Sequence, residues 1–368
     1  MKLTKRILSA VLAASMLLAV MLTGCSTPKL TIGGTADVAG VVGGKEITTG
    51  DYLAYLYLTF EQIYMEGGYA YYEYYGMNPW EQQIPYGEGE DAPKVSLSEF
   101  ITLQTKDAIV RQEALRQMMA QHNISWIAEE EKKIDDEAAK NSGADFTVLG
   151  FSNEKYLNAY KNMYLNERSL FYGLYGEGGE RAVDEAELKK YYEENYLCYK
   201  YIPIALTDKD GKELDEKGKA PIMERLNKYL ELYNSKKDFE FIMDNYTMDE
   251  AGDKEIEADP AEDENTRNLQ DKKDMDADLV KAIESVKVGE AKIVTYKAGG
   301  KTPTAALVLR LDLHDKEQFK DSNETLLSTV KYDEFDKEIT EAAKKIVFEF
   351  DESVIEQCKP ENFLTDGQ

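Results

Sequence analysis

The feature that most restricts how this chain can fold is a break at residues 176–183, GEGGERAV, because the apolar pattern on its two sides differs in kind. Before the break, LSEFITLQTKDAIVRQEALRQMMAQHN and the stretches 125–141 and 152–175 carry apolar residues at helical spacing. From residue 184 the order becomes helix, strand, long helix, acidic loop, helix and paired strands, the pattern of a small α+β domain. The chain then returns to helix in TLLSTVKYDEFDKEITEAAKKIV, where Val330, Phe335, Ile339 and Ala342 mark an apolar face whose evident partner is the first half. The expected fold class is therefore α+β: a mainly helical domain formed by residues 37–183 together with 314–368, and a small α+β domain, 184–313, inserted between them. A chain of 368 residues with 43% apolar content can bury two such cores.

Charge narrows the partners. Lys and Arg number 44 against 70 Asp and Glu, a formal charge of -26, and phosphate backbones are bound by clustered cations, so nucleic acid is excluded as an expected partner. His122 and His314 are the whole imidazole supply, which leaves little for zinc or His-dependent nucleophilic chemistry. No cofactor and no metal site is expected. The acidic loop 249–276 lacks the D-x-[DN]-x-[DN]-G spacing that wraps calcium and reads as a solvated segment.

The N-terminus pairs a basic start, MKLTKR, with the apolar run ILSAVLAASMLLAVMLTG, a secretory signal pattern. It closes on Leu22, Thr23, Gly24 and Cys25, which resemble the lipobox of bacterial lipoproteins. That resemblance implies a signal peptide over 1–24, lipid on Cys25, a polar tether over 25–36 and a place on the outer face of the cytoplasmic membrane. Cys198 and Cys358 then remain, without metal or redox spacing, as buried thiols or one disulfide.

Order begins near Asp37 with a Val-rich strand, a Gly43-Gly44 turn, a second strand and a helix from about Thr49, whose Tyr52, Tyr55, Leu56 and Phe60 share one face. A tyrosine-rich insertion follows, with Gly and Pro that interrupt any helix. Its Tyr69, Tyr71, Tyr72, Tyr74, Tyr75 and Trp80 offer a surface for client proteins, or else fold back to cap the helical core.

Three stretches resemble the PrsA and SurA type of secreted foldase, in which a parvulin-like peptidyl-prolyl isomerase domain sits inside a helical chaperone domain. They are VVGGKEITTGDY (41–52), VDEAELKKYYEENYLCYKYIPI (183–204), and the pair KDFEFIMDNYTMD (237–249) and MDADLVKAIESVKVGE (275–290). The resemblance implies an isomerase site at positions where this chain departs from the family. Tyr201 and Leu307 match the places of two family histidines, and Thr266, within Asn265–Asn268, matches a turn whose acidic residue faces them. Met275 and Leu279 match an apolar cup for the proline ring and read equally well as core. An enzyme that rotates an X-Pro bond must lower a barrier of roughly 18 to 20 kcal/mol by holding the twisted amide, which calls for those polar groups.

The resulting expectation is a membrane-tethered extracytoplasmic chaperone that binds unfolded or partly folded secreted proteins, with a degenerate isomerase domain. Two alternatives stand beside it: an active isomerase with a rearranged site, and a solute-binding lipoprotein. The helical first half argues against the latter, whose class is usually built from two α/β lobes.

Overall fold

The structure, a computed structural model, describes residues 38–364 apart from 88, 90, 141–144, 237, 244–245, 247–267 and 314–315. Cys25 with the expected signal and tether, Thr266, His314 and most of the acidic loop 249–276 lie outside the described residues. The chain divides into two compact units, Met1–Ala182 with Lys331–Gln368, and Val183–Val330. The first division falls at the Gly-rich break. The second falls inside the returning helix, at Val330/Lys331 and not at the 313/314 border that the sequence pattern suggests.

The helical unit is pinned by a small antiparallel sheet of order β2-β1-β9, made by β1 (Val38–Val42), β2 (Lys45–Thr48) and β9 (Phe348–Phe350). Gly43 and Gly44 link β1 to β2 with φ of 59° and 79°, the left-handed pair that a tight hairpin requires. A side chain at Gly43 would also meet Glu113. Thr48 caps α1 (Thr49–Phe60) in a reciprocal capping box with Asp51, and Lys155 Nζ reaches Asp51 at 2.7 Å. This helix is buried on more than the face read from the sequence: Leu53, Ala54 and Leu58 are enclosed as well as Tyr52, Tyr55, Leu56 and Phe60. It lies among α3 (Leu97–Gln121), α5 (Asn153–Tyr175) and the C-terminal residues Ile355, Cys358 and Phe363, while the charged α4 (Ala128–Lys140) packs outside α5.

Tyrosine-rich chain interrupts α1 as a π-helical turn, Glu61–Glu66, then continues through the short α2 (Ala70–Tyr74), a 3-10 turn Pro79–Glu81 and the hairpin β3 (Gln83–Pro85) and β4 (Lys94–Ser96). The returning α9 (Lys316–Ala343) is held to the helical body by Phe335, which meets Phe171 at 5.2 Å. Arg111 adds a bridge from Glu167 to Asp336, each contact at 2.9 Å.

In the second unit, α6 (Glu185–Asn195) runs straight into β5 (Tyr196–Ala205). Together β5, β6 (Asn268–Asp271), β7 (Ala291–Ala298) and β8 (Thr302–Arg310) form an antiparallel sheet of order β6-β5-β8-β7. One face is covered by α7 (Glu216–Lys236) and residues 239–243, enclosing Ile202, Leu226, Tyr229, Phe239, Ile242 and Leu307. The opposite face is covered by α8 (Ala277–Glu284), over Leu197, Tyr199, Ile283, Val294, Ala306 and Val308. Pro203 fits its strand for a local reason. β6 pairs β5 only over Tyr196–Tyr199, so at Pro203 the missing N–H faces no strand, and the Tyr246 hydroxyl approaches its carbonyl at 3.5 Å.

Candidate functional site

The face beneath α8 brings together Tyr201, Met275 and Leu279, three of the positions singled out in the sequence. Tyr201 is half-buried, and its ring stands edge-on to Tyr199 at 5.4 Å and 62°. Tyr199 donates its hydroxyl to Gln270 Oε1 at 3.2 Å. Burial, with the neighbouring phenol of Tyr201, pushes both Tyr199 and Tyr296 up to about 12, so neither phenol releases a proton near neutrality. Asp276 borders the group at the start of α8. Its carboxylate accepts from the backbone N–H of Leu279, Asp278 and Gly299, bonds that hold its pKa below the usual carboxylate range and commit it to capping the helix.

Leu307 does not join them. It pairs with Ile202 and is fully enclosed beneath α7, on the opposite face of the sheet from Tyr201. The β8 residues that share the Tyr201 face are Val308, its cross-strand partner, and Ala306. Neither has a polar side chain, and no histidine of this unit is among the described residues. His122 belongs to the helical unit, where its Nδ1 lies 2.6 Å from Glu180. The cup can therefore surround an apolar group and offer phenol hydroxyls, and its described residues supply no imidazole–carboxylate network.

The second candidate, the aromatic insertion, is split in two. Trp80 stacks on Tyr64 at 5.0 Å and lies parallel to Phe60, so it belongs to the helical core. Tyr69 and Tyr72 stack on each other at 5.6 Å and are half-buried. Tyr71, Tyr74 and Tyr75 instead face solvent at 67%, 83% and 71% exposure, with Met77 beside them at 48%. One insertion thus holds both residues that cap the core and residues that face solvent.

One group was missed in the sequence. Glu61 is the first residue of the π-helical turn, near Tyr57 and Tyr156; burial, then the like charge of Glu66, pushes it up to about 7. The available signal was a lone acid within LAYLYLTFEQIYM, one helical turn after Tyr57.

Cys198 and Cys358 are buried and unbridged, and burial pushes the Cys358 thiol up to about 11. Among the described residues no group of three or more His, Cys, Asp or Glu is placed to hold a metal ion, and no helix is long and apolar enough to cross a membrane.

No protein-family model and no curated protein matches the chain. Solved structures do match. A peptidylprolyl isomerase, PrsA, from Bacillus cereus is 14% identical with a TM-score of 0.30, the match covering 71% of this chain and 89% of that one. Foldase protein PrsA from Lactococcus lactis is 12% identical with a TM-score of 0.31, over 88% and 99% of the two chains. Foldase protein PrsA from Streptococcus pneumoniae is 10% identical with a TM-score of 0.25, over 77% and 96%. No residue role is carried over from them. Among solved structures, then, the chain is similar to PrsA foldases and peptidylprolyl isomerases.

Proposed function

We propose that the chain is a holding chaperone for secreted proteins, tethered to the outer face of a cytoplasmic membrane through lipid on Cys25. On this reading the helical unit carries the activity and the sheet unit performs no proline isomerisation. The observation that carries it is the exposed set Tyr71, Tyr74, Tyr75 and Met77 at the insertion. Such side chains combine large contact area with few rotatable bonds, a polar tip on each phenol and an adaptable thioether, which suits partners of varied sequence. Among the described residues, the sheet unit offers phenols and apolar side chains around Tyr201, and the bordering carboxylate of Asp276 is engaged by backbone N–H groups.

The test is suppression of aggregation of a chemically unfolded secreted protein by the wild type and by a triple variant, Tyr71→Ser with Tyr74→Ser and Tyr75→Ser. Loss of holding with an unchanged melting temperature is expected; full holding by the folded triple variant overturns the assignment. Cys25→Ala, checked by mass spectrometry of the N-terminus, should release the protein from the membrane fraction.

The alternative is an active isomerase that uses the Tyr201 phenol, favoured by the position of Tyr201 beside Met275 and Leu279 on one face. A prolyl-peptide assay separates the two readings: turnover by the wild type, lost in Tyr201→Phe, establishes the enzyme.

A further inference from the structure

The small sheet of the helical unit has an open side. β1 is paired on both edges, by β2 and by β9, whereas β9 has β1 on one edge and, among the described residues, no strand on the other. The register fixes which groups face outward. Val41 pairs with Glu349, Gly43 N–H donates to the Val347 carbonyl at 2.8 Å, and Asp351 N–H donates to the Ala39 carbonyl at 2.9 Å, so Val347, Glu349 and Asp351 turn their backbone groups to β1. Backbone groups alternate sides along an antiparallel strand, which leaves the N–H and C=O of Phe348 and Phe350 pointing outward. Val347 and Phe348 stand exposed there at 82% and 54%, and the strand's one charge is Glu349. An edge with free backbone groups and exposed apolar side chains is a template for another strand.

The two faces of an added strand would meet different chemistry. Cross-strand partners share a face, so Glu46, Val41 and Glu349 form one row across β2, β1 and β9, and all three are exposed. Phe348 and Phe350 lie on the opposite face with Val42. There the Phe350 ring meets Tyr52 at 6.4 Å and Phe348 at 5.8 Å, which carries the helical core out to the edge. Lys106, over the Phe350 ring, belongs to that face and is paired with Glu352 at 2.7 Å. A fourth strand therefore sets one side chain beside Glu349 in the acidic row, and its two sequence neighbours beside Phe348 and Phe350.

We propose that the outer edge of β9 binds an extended polypeptide in trans as an antiparallel fourth strand, and that it selects a segment with Lys or Arg between two apolar residues. Backbone pairing with Phe348 and Phe350 supplies affinity, and the Glu46–Val41–Glu349 row supplies the preference. The formal charge of -26 favours the same basic segments at longer range. A second copy of this chain fits the edge less well, because the register that overlaps the whole of β9 with its twin sets Glu349 opposite Glu349. The surface is separate from the exposed tyrosines, and it does not depend on the holding activity.

The probe is a labelled, end-capped peptide, Ser-Val-Lys-Val-Ser, compared with Ser-Val-Glu-Val-Ser and with the Lys peptide methylated on the backbone nitrogen of both valines. Fluorescence anisotropy of the peptides is titrated with the full chain at low ionic strength, and amide hydrogen exchange over 346–351 is followed with and without peptide. The wild type should bind the Lys peptide about threefold more tightly than the Glu peptide, the scale of a cross-strand charge pair. It should fail to bind the methylated peptide, and bound Lys peptide should slow exchange at Phe348 and Phe350. Glu349→Lys should reverse the preference between the two peptides, which a merely structural fault would not do. Phe348→Pro removes one outward N–H and should weaken both, its fold verified by a thermal melt. The triple tyrosine variant should keep the full preference; loss of the preference there would place the peptide on the tyrosines and overturn the proposal. Equal binding of the Lys and Glu peptides by the wild type, undiminished binding of the methylated peptide, or an unchanged preference in folded Glu349→Lys overturns it as well. So does a dimer in sedimentation that Phe348→Pro dissolves, which gives the edge to a second copy, and so does peptide binding seen only after removal of residues 25–37, which gives it to that segment.

Discussion

Two groups of tyrosines in this protein have the same chemistry and opposite surroundings. Tyr199, Tyr201 and Tyr296 lie beneath α8, the first two edge to face, and the phenols of Tyr199 and Tyr296 are pushed up to about 12 by burial. Tyr71, Tyr74 and Tyr75 stand in water on and beside a short helix. In the first group the ring area holds a sheet to its covering helix; in the second it is left for something else to cover. Residue type alone therefore does not tell a tyrosine that stabilises the fold from one that meets a partner. The neighbouring chain decides it.

The largest effect that tests this contrast is on stability. Tyr199→Ala should cost about 3 kcal/mol, by loss of a fully enclosed ring, whereas Tyr74→Ala should stay within about 0.5 kcal/mol. Both are read by chemical denaturation, and a similar loss in the two variants would erase the distinction. A comparable effect comes from the third environment, the Tyr57–Glu61 pair. The folded-state pKa of Glu61 is raised, so the native state holds the extra proton. Its contribution is present below the ordinary carboxylate range and is lost as pH rises toward about 7, a fall of up to about 3 kcal/mol. Glu61→Gln should flatten that part of the stability profile; an unchanged slope would mean the carboxyl is already well solvated.

A smaller effect is expected at high pH. The raised phenols of Tyr199 and Tyr296 give a contribution that is full below about pH 10 and is lost as pH climbs through about 12. Tyr199→Phe with Tyr296→Phe should weaken this alkaline loss, measured by denaturation at stepped pH. Smallest of all, Tyr201→Phe should leave prolyl-peptide rotation at its uncatalysed rate and stability within about 1 kcal/mol. Any fall in rate on that substitution would give the phenol a catalytic role.

Much of the architecture was legible because it is written in local signals. The Gly43-Gly44 turn, the Thr48 cap and the break at 176–183 each mark a boundary by backbone chemistry, and the structure has features at all three. What could not be read was the face of β8. A strand with one wet face alternates polar and apolar residues, but Thr304–Leu309 is buried throughout and TAALVL shows no alternation. A slip of one residue reverses every side chain, so matching Leu307 to the place of a family histidine does not show that Ala306 and Val308, rather than Leu307, share the face of Tyr201. The insertion was opaque for a similar reason: YAYYEYY has an aromatic residue in nearly every register, so its composition could not show that Tyr72 packs while Tyr71 and Tyr74 do not. Glu61 was hidden because a lone acid in an apolar run gives no sign of which cation, if any, lies near it.

The small sheet also has a mechanical consequence. β1 is its central strand, hydrogen-bonded to β2 on one side and to β9, from the far end of the chain, on the other. Val38, where a tether to a membrane would enter the fold, begins the one strand of this sheet that both ladders hold. Freeing the N-terminal end of the fold therefore requires breaking the ladder to the C-terminal strand β9 as well as that to β2.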